Sequence, residues 1–141
     1  MKRKEFINLV GLGAGTVVLG SCLGACGKGS TATPSPNPGT LMLTIAGIST
    51  NTDIVNKGWT IQSGIIVAKN GANYLALSSA CTHQGSNVTF NGTDFPCALQ
   101  TPGHGSVFNV DGTVKTGPAV TGLKKYSPVY DQATDTLKVY A

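Results

Sequence analysis

Four side chains able to bind a soft metal crowd into one Gly- and Pro-rich stretch, CTHQGSNVTFNGTDFPCALQTPGHGS: Cys81, His83, Cys97 and His104. The stretch holds both histidines of the chain and two of its four cysteines. Thiolate sulfur with imidazole nitrogen suits zinc or an iron-sulfur centre, whereas calcium and magnesium take oxygen donors. Cys81 and His83 share one loop and Cys97 and His104 another, so two loops each supply one Cys and one His. Two other readings stay open from the residues alone. Cys81 and Cys97 form an ordinary disulfide, as an oxidising compartment permits, with the histidines as plain loop residues; or Cys81, His83 and His104 bind a single zinc or iron. Other catalytic constellations are missing. The chain has no nucleophile elbow, no phosphate-binding Gly-rich loop, and no close pair of carboxylates among Asp53, Asp94, Asp111, Asp131 and Asp135.

The elements that must carry these loops read as strands. From Leu41 onward short β-branched and apolar runs alternate with turn residues, and no sustained helical period occurs, which predicts an all-β domain. LMLTIA (Leu41 to Ala46) and SGIIVAK (Ser63 to Lys69) are expected strands, and Asn70-Gly71 marks a hairpin into NYLAL. NVTF (Asn87 to Phe90) is expected as a strand returning through Phe95. GSVFNVDGTVKTG reads as a hairpin with Asp111 and Gly112 at its tip, and the last 19 residues as another, turning near Asp131 to Thr134. Hairpins in series build a small antiparallel sandwich or barrel. Trp59, Tyr74, Tyr126, Tyr130 and Tyr140 lie on or beside these runs and read as packing residues.

The N-terminus is expected to be targeting sequence. Lys2, Arg3 and Lys4 precede the apolar, small-residue run FINLVGLGAGTVVLG, the layout of a secretory signal peptide and short for a membrane span. LGSC and LGAC, ending at Cys22 and Cys26, both resemble the bacterial lipobox, where small side chains let a peptidase expose a cysteine for lipidation; Cys22 comes first. KRKEFI resembles a weakened twin-arginine export signal. Gly27 to Thr40, GKGSTATPSPNPGT, has almost nothing to bury and reads as a flexible tether. The expected organisation is a signal peptide over 1–21, a lipid-anchored linker over 22–40 and one folded domain over 41–141, held on an extracytoplasmic membrane surface in the cell envelope or periplasm.

Charge narrows the partners. The whole chain carries +4, but cleavage removes Lys2, Arg3, Lys4 and Glu5, leaving seven basic and five acidic side chains, a net +2. With no arginine left and scattered lysines, nucleic acid is not an expected partner.

CTHQG, PGHGSVFNVDG and TGPA together resemble the Rieske 2Fe-2S domain, whose pattern runs Cys-x-His, an intervening stretch, Cys-Pro-x-His-Gly-Ser and a downstream Gly-Pro-Ala loop. The resemblance spans roughly residues 41 to 141 and is densest over 81 to 119. It implies a Rieske-like antiparallel β fold with a cluster-binding loop subdomain, and a 2Fe-2S cluster with Cys81 on the inner iron and His83 and His104 on the outer one. Ser106 matches the serine that donates to a bridging sulfide in high-potential members. Phe108 stands where those members carry a tyrosine, implying a lower potential. Gly117, Pro118 and Ala119 would cover the cluster. The disulfide that brackets the cluster in the respiratory subgroup is absent, its positions being Ser86 and Gly103.

One ligand departs from the pattern. Thr101 occupies the place of the second cysteine, and Cys97 comes four residues earlier, while the 23-residue interval from Cys81 to His104 is ordinary for the family. An extended 97–101 segment would carry Cys97 about 13 Å from the usual ligand position, so the chain must loop back for Cys97 to ligate. A threonine hydroxyl stays protonated and is too hard a donor for an iron-sulfide core. Two functions follow from the two outcomes. With Cys97 as fourth ligand, the protein is expected to be an electron-transfer component rather than a self-sufficient enzyme, serving a cytochrome, a quinol-oxidising complex or an oxygenase component. Without it, the protein is a Rieske-fold lipoprotein that has lost its cluster and acts as a structural or binding module.

Overall fold

In a computed structural model the described residues are 39–98 and 104–141. The expected signal peptide, Cys22, Cys26, most of the linker, and Thr101 with Pro102 and Gly103 lie outside them. The first strand, β1, spans Leu41–Ala46, and β2 (Trp59–Gln62), β3 (Ile65–Asn70) and β4 (Asn73–Ser78) follow. Next come the short β5 (Phe95–Pro96), β6 (Val107–Phe108) and β7 (Val114–Thr116), and then the hairpin of β8 (Ser127–Asp131) and β9 (Thr136–Tyr140). They form three antiparallel sheets, ordered β1-β9-β8, β2-β3-β4 and β5-β6-β7.

β3 explains why there are two cores. Side chains alternate across a strand, and its run Ile65, Ile66, Val67, Ala68 is buried on both faces. Ile65 and Val67 join Ile45, Ile48, Ile54, Leu137 and Val139 in a base core. Ile66 and Ala68 face the other way, into a core with Leu77, Val88, Phe95, Phe108 and both Cys81 and Cys97. Burial of each of Ile65, Ile66 and Val67 stabilises by about 1.5–3 kcal/mol. The second sheet is therefore the floor on which the cysteines rest.

The segment after the second core ties the first two sheets together. Ser78 N–H donates to Lys124 O at 2.8 Å and Tyr126 N–H to Ala76 O at 2.9 Å, leading the chain from the site directly into β8. Tyr74 on β4 meets Tyr130 on β8 edge to face, with ring centroids 5.2 Å apart, which is packing as expected for these aromatics.

Three details differ from expectation. The β3–β4 hairpin pairs Asn70 with Asn73, so its two-residue turn is Gly71-Ala72, one residue later than the Asn70-Gly71 pair suggests. Gly71 has φ 61°, the backbone a type II′ turn needs at its first central position. A helix, α1 (Thr52–Lys57), precedes β2 and buries Ile54 alone. Its six residues are too few to display a period, yet it has both its stops: Asn51 Oδ1 accepts from the N–H groups of Asp53 and Ile54, and Gly58 closes it at φ 80°. Finally, NVTF is no full strand; it makes single bridges, Asn87 to Ala80 and Val88 to Cys97.

Candidate metal centre

The loop after β4 is closed by its own backbone. Cys81 N–H donates to Ser86 O at 2.7 Å, and Gly85 N–H returns to Cys81 O at 2.7 Å. Gly85 sits at φ 76°, a conformation that costs glycine little and lets the chain reverse. The tight turn points Cys81 into the second core, where it is 3% exposed, while His83 remains half-buried. Cys81 is a free thiol, so the ordinary Cys81–Cys97 disulfide does not form.

Cys97 follows β5 directly and is likewise 3% exposed. Its N–H donates to Ser106 O at 2.8 Å, extending the β5–β6 pairing by one step. The described chain stops at Ala98 and resumes at His104. Cys97 thus sits next to the strand pair β5–β6, on the chain segment that precedes His104. Residues 87 and 88 join the loops, with Val88 bridging to Cys97 and Ala98 N–H donating to Asn87 O at 2.8 Å. The result brings the His83 and His104 rings side by side, centroids 5.5 Å apart at 68°.

A third loop leans on the other two. Ala119 N–H donates to Ser106 Oγ at 2.9 Å, and Thr82 Oγ1 donates to Thr121 O. A hydroxyl can accept and donate at once, so Ser106 keeps a proton to give. Ser106 is 1% exposed and Phe108 fully buried, paired with Phe95. The Gly117–Pro118 peptide is cis. Gly112 and Gly122 make backbone contact behind this loop: Leu123 N–H donates to Gly112 O at 2.8 Å, and a Cβ on Gly122 would meet Gly112 O at 2.6 Å. The sequence patterns flagged Ser106 and the Gly-Pro-Ala turn; they did not flag Thr82, Thr121 or the Gly112–Gly122 contact, since these join residues far apart in the chain.

Among the described residues no three His, Cys, Asp or Glu side chains are grouped so as to hold a single metal ion. Cys81 and Cys97 are buried, and His83 and His104 are half-buried. The family model of the Rieske [2Fe-2S] domain matches residues 48–127.

The chain belongs to the Rieske [2Fe-2S] family. A 2Fe-2S cluster is the cofactor of this domain. The nearly all-antiparallel fold agrees with that of a solved relative, the cyanobacterial plasma membrane Rieske protein PetC3 from Synechocystis PCC 6803. The two share 23% identity over 70% of this chain and 99% of that one, with a TM-score of 0.53. No curated protein matches the chain. Among the described residues of this Rieske protein no helix is long and apolar enough to cross a membrane.

Proposed function

We propose that this Rieske protein is a one-electron carrier whose cluster is held by Cys81 and Cys97 on the inner iron and by His83 and His104 on the outer iron. The observation that supports the set most directly is the pairing of Cys97 with Ser106, which keeps the displaced cysteine next to β5–β6, on the chain segment that precedes His104. When bound, the cluster supplies reversible one-electron chemistry at a potential raised by its histidine ligands. The chain does the rest: the second core excludes water from the thiols, and the histidine edges, half-buried, are the route for electrons to a partner. With the cluster bound, Ser106 would have its hydroxyl proton to donate toward it, and Phe108, lacking a hydroxyl, would offer no second donor, which would lower the potential. Gly117, Pro118 and Ala119 close over the site.

In the same reading the chain is an extracytoplasmic lipoprotein, cut after residue 21, lipidated at Cys22 and tethered through residues 22–40. It works as a subunit or shuttle beside a cytochrome, a quinol-oxidising complex or an oxygenase component. Anaerobic expression of the domain from Leu41 onward, followed by iron and acid-labile sulfide analysis and EPR of the reduced protein, tests the cofactor set. Two irons, two sulfides and a Rieske-type spectrum are expected; colourless, iron-free protein after reconstitution would sink the proposal. For the anchor, globomycin treatment or Cys22→Ala with Cys26→Ala is expected to abolish lipid labelling, and persistent labelling contradicts it.

A further inference from the structure

Two asparagines of the chain precede a glycine, Asn70 and Asn91, and both are exposed. In an Asn-Gly pair the glycine nitrogen can reach the carboxamide carbon of the asparagine, since glycine has no side chain to obstruct the approach. The fold holds the two asparagines differently. Asn91 Oδ1 accepts three hydrogen bonds, from Thr93 N–H at 3.0 Å, Thr93 Oγ1 at 3.0 Å and Asp94 N–H at 2.7 Å. Asn91 N–H in turn donates to Asp94 O at 3.1 Å. The ring closed by the Thr93 N–H bond contains both Asn91 Cγ and Gly92 N, so the side chain is folded over the peptide that follows it. Among the described residues nothing accepts from Gly92 N–H, and Gly92 has φ 98° with open space where a side chain would stand. Asn70 is held otherwise: it pairs with Asn73 in the β3–β4 ladder, and no donor among the described residues reaches its carboxamide oxygen.

We propose that Asn91 is a self-modification site, which deamidates through a cyclic imide to aspartate and isoaspartate with its own turn assisting the reaction. Hydroxide takes the Gly92 amide proton and the nitrogen attacks Asn91 Cγ. The negative charge that develops on Oδ1 meets three donors already aimed at it, the arrangement of an oxyanion hole. Nucleophile and carbonyl are held together beforehand, which lowers the entropic part of the barrier. The Cγ–Nδ2 bond then breaks, Nδ2 takes a proton from water and leaves as ammonia, and the imide remains. Water opens the imide: cleavage at Cγ gives aspartate, and cleavage at the backbone carbonyl of residue 91 gives isoaspartate. The net change is one water in and one ammonia out, with no redox step. The two products differ in consequence. Aspartate keeps the backbone and an oxygen for the same donors, whereas isoaspartate routes the main chain through the side chain and lengthens the turn. That turn joins Phe90 to Phe95, whose ring centroids are 4.8 Å apart, and feeds β5 and so Cys97.

The test incubates the purified, folded full chain in mildly alkaline buffer and follows both asparagines by peptide mass spectrometry, with isoaspartate counted by carboxyl-methyltransferase labelling. Asn91 is expected to convert roughly tenfold faster than Asn70, and the two rates to converge once urea unfolds the chain. Thr93→Val, at an exposed position, removes the hydroxyl donor alone and is expected to slow Asn91 roughly threefold, while Asn70 keeps its rate as the internal reference. An Asn91 rate no greater than that of Asn70 in the folded chain, or one unchanged by unfolding or by Thr93→Val, overturns the proposal. The isoaspartate fraction, separated by ion exchange, is expected to unfold at lower urea than Asn91→Asp, which keeps the midpoint of the parent chain. Equal midpoints for the isoaspartate form and Asn91→Asp overturn the coupling of this turn to β5.

Discussion

Cys97 and Ser106 are cross-strand partners, the amide of the first donating to the carbonyl of the second at 2.8 Å. In the proposed ligand set Cys97, held by this bond, is the fourth ligand. Cys97 should be essential and Thr101 dispensable: Cys97→Ser is expected to yield protein without iron or acid-labile sulfide, whereas Thr101→Ala retains both and an unchanged EPR spectrum. Loss of the cluster in Thr101→Ala would reverse the assignment.

Ser106 Oγ is the acceptor for the Ala119 amide inside a buried site. Ser106→Ala leaves that N–H without its partner, and an unpaired buried donor costs about 1–3 kcal/mol. Urea denaturation should show the fall in midpoint with an unchanged slope. The reduction potential should also drop, because the donor to sulfide goes with the same hydroxyl. A stability loss with no change in potential would confine Ser106 to holding the Gly-Pro-Ala turn.

Gly122→Ala places a methyl 2.6 Å from Gly112 O, and both sides of that contact are backbone. Neither can swing aside as a side-chain tip would, so the loop bearing Ala119 must shift. Overpacking of this kind costs about 1–3 kcal/mol, and thermal unfolding is expected several degrees lower, at roughly 4–8 °C per kcal/mol for a domain of this size. An unaltered Tm would mean that the two backbones separate without cost.

Stability should fall in acid partly through Asp135. Hydrogen bonding from the Ser49 side chain, helped by the Tyr130 hydroxyl and the Ser49 amide, holds its carboxyl below the usual carboxylate range. A depressed folded-state pKa contributes stability that is present above the unfolded value, about 4, and is lost as pH falls through the folded one. The denaturation midpoint is therefore expected to decline from about pH 4 downward. Asp135→Asn should lower the midpoint at neutral pH and flatten this acid slope. The substitution keeps the backbone relaxed, because asparagine tolerates the φ of 47° found here. Parallel pH curves for the two proteins would remove Asp135 from the account.

Alternating apolar runs were enough to establish the all-β class and to locate β1, β3, β4 and the two later hairpins, because strand period and turn chemistry are local properties. The Cys81, His83, His104 and Gly-Pro-Ala spacing was enough to indicate the family for the same reason: each loop is a continuous piece of chain. Helix α1 escaped notice since six residues carry no period, although Asn51 and Gly58 stood at its ends. The turn at Gly71 moved by one residue because pairing of Asn70 with Asn73 decides where a hairpin closes. Where Cys97 lies was beyond local reasoning altogether. Counted along the chain it is four residues early, and its burial beside Cys81 depends on bridges to Val88 and Ser106 that only folding supplies. Residue types and spacing determined which donors this protein owns; long-range backbone pairing, driven by burial of the shared core, decided which of them meet.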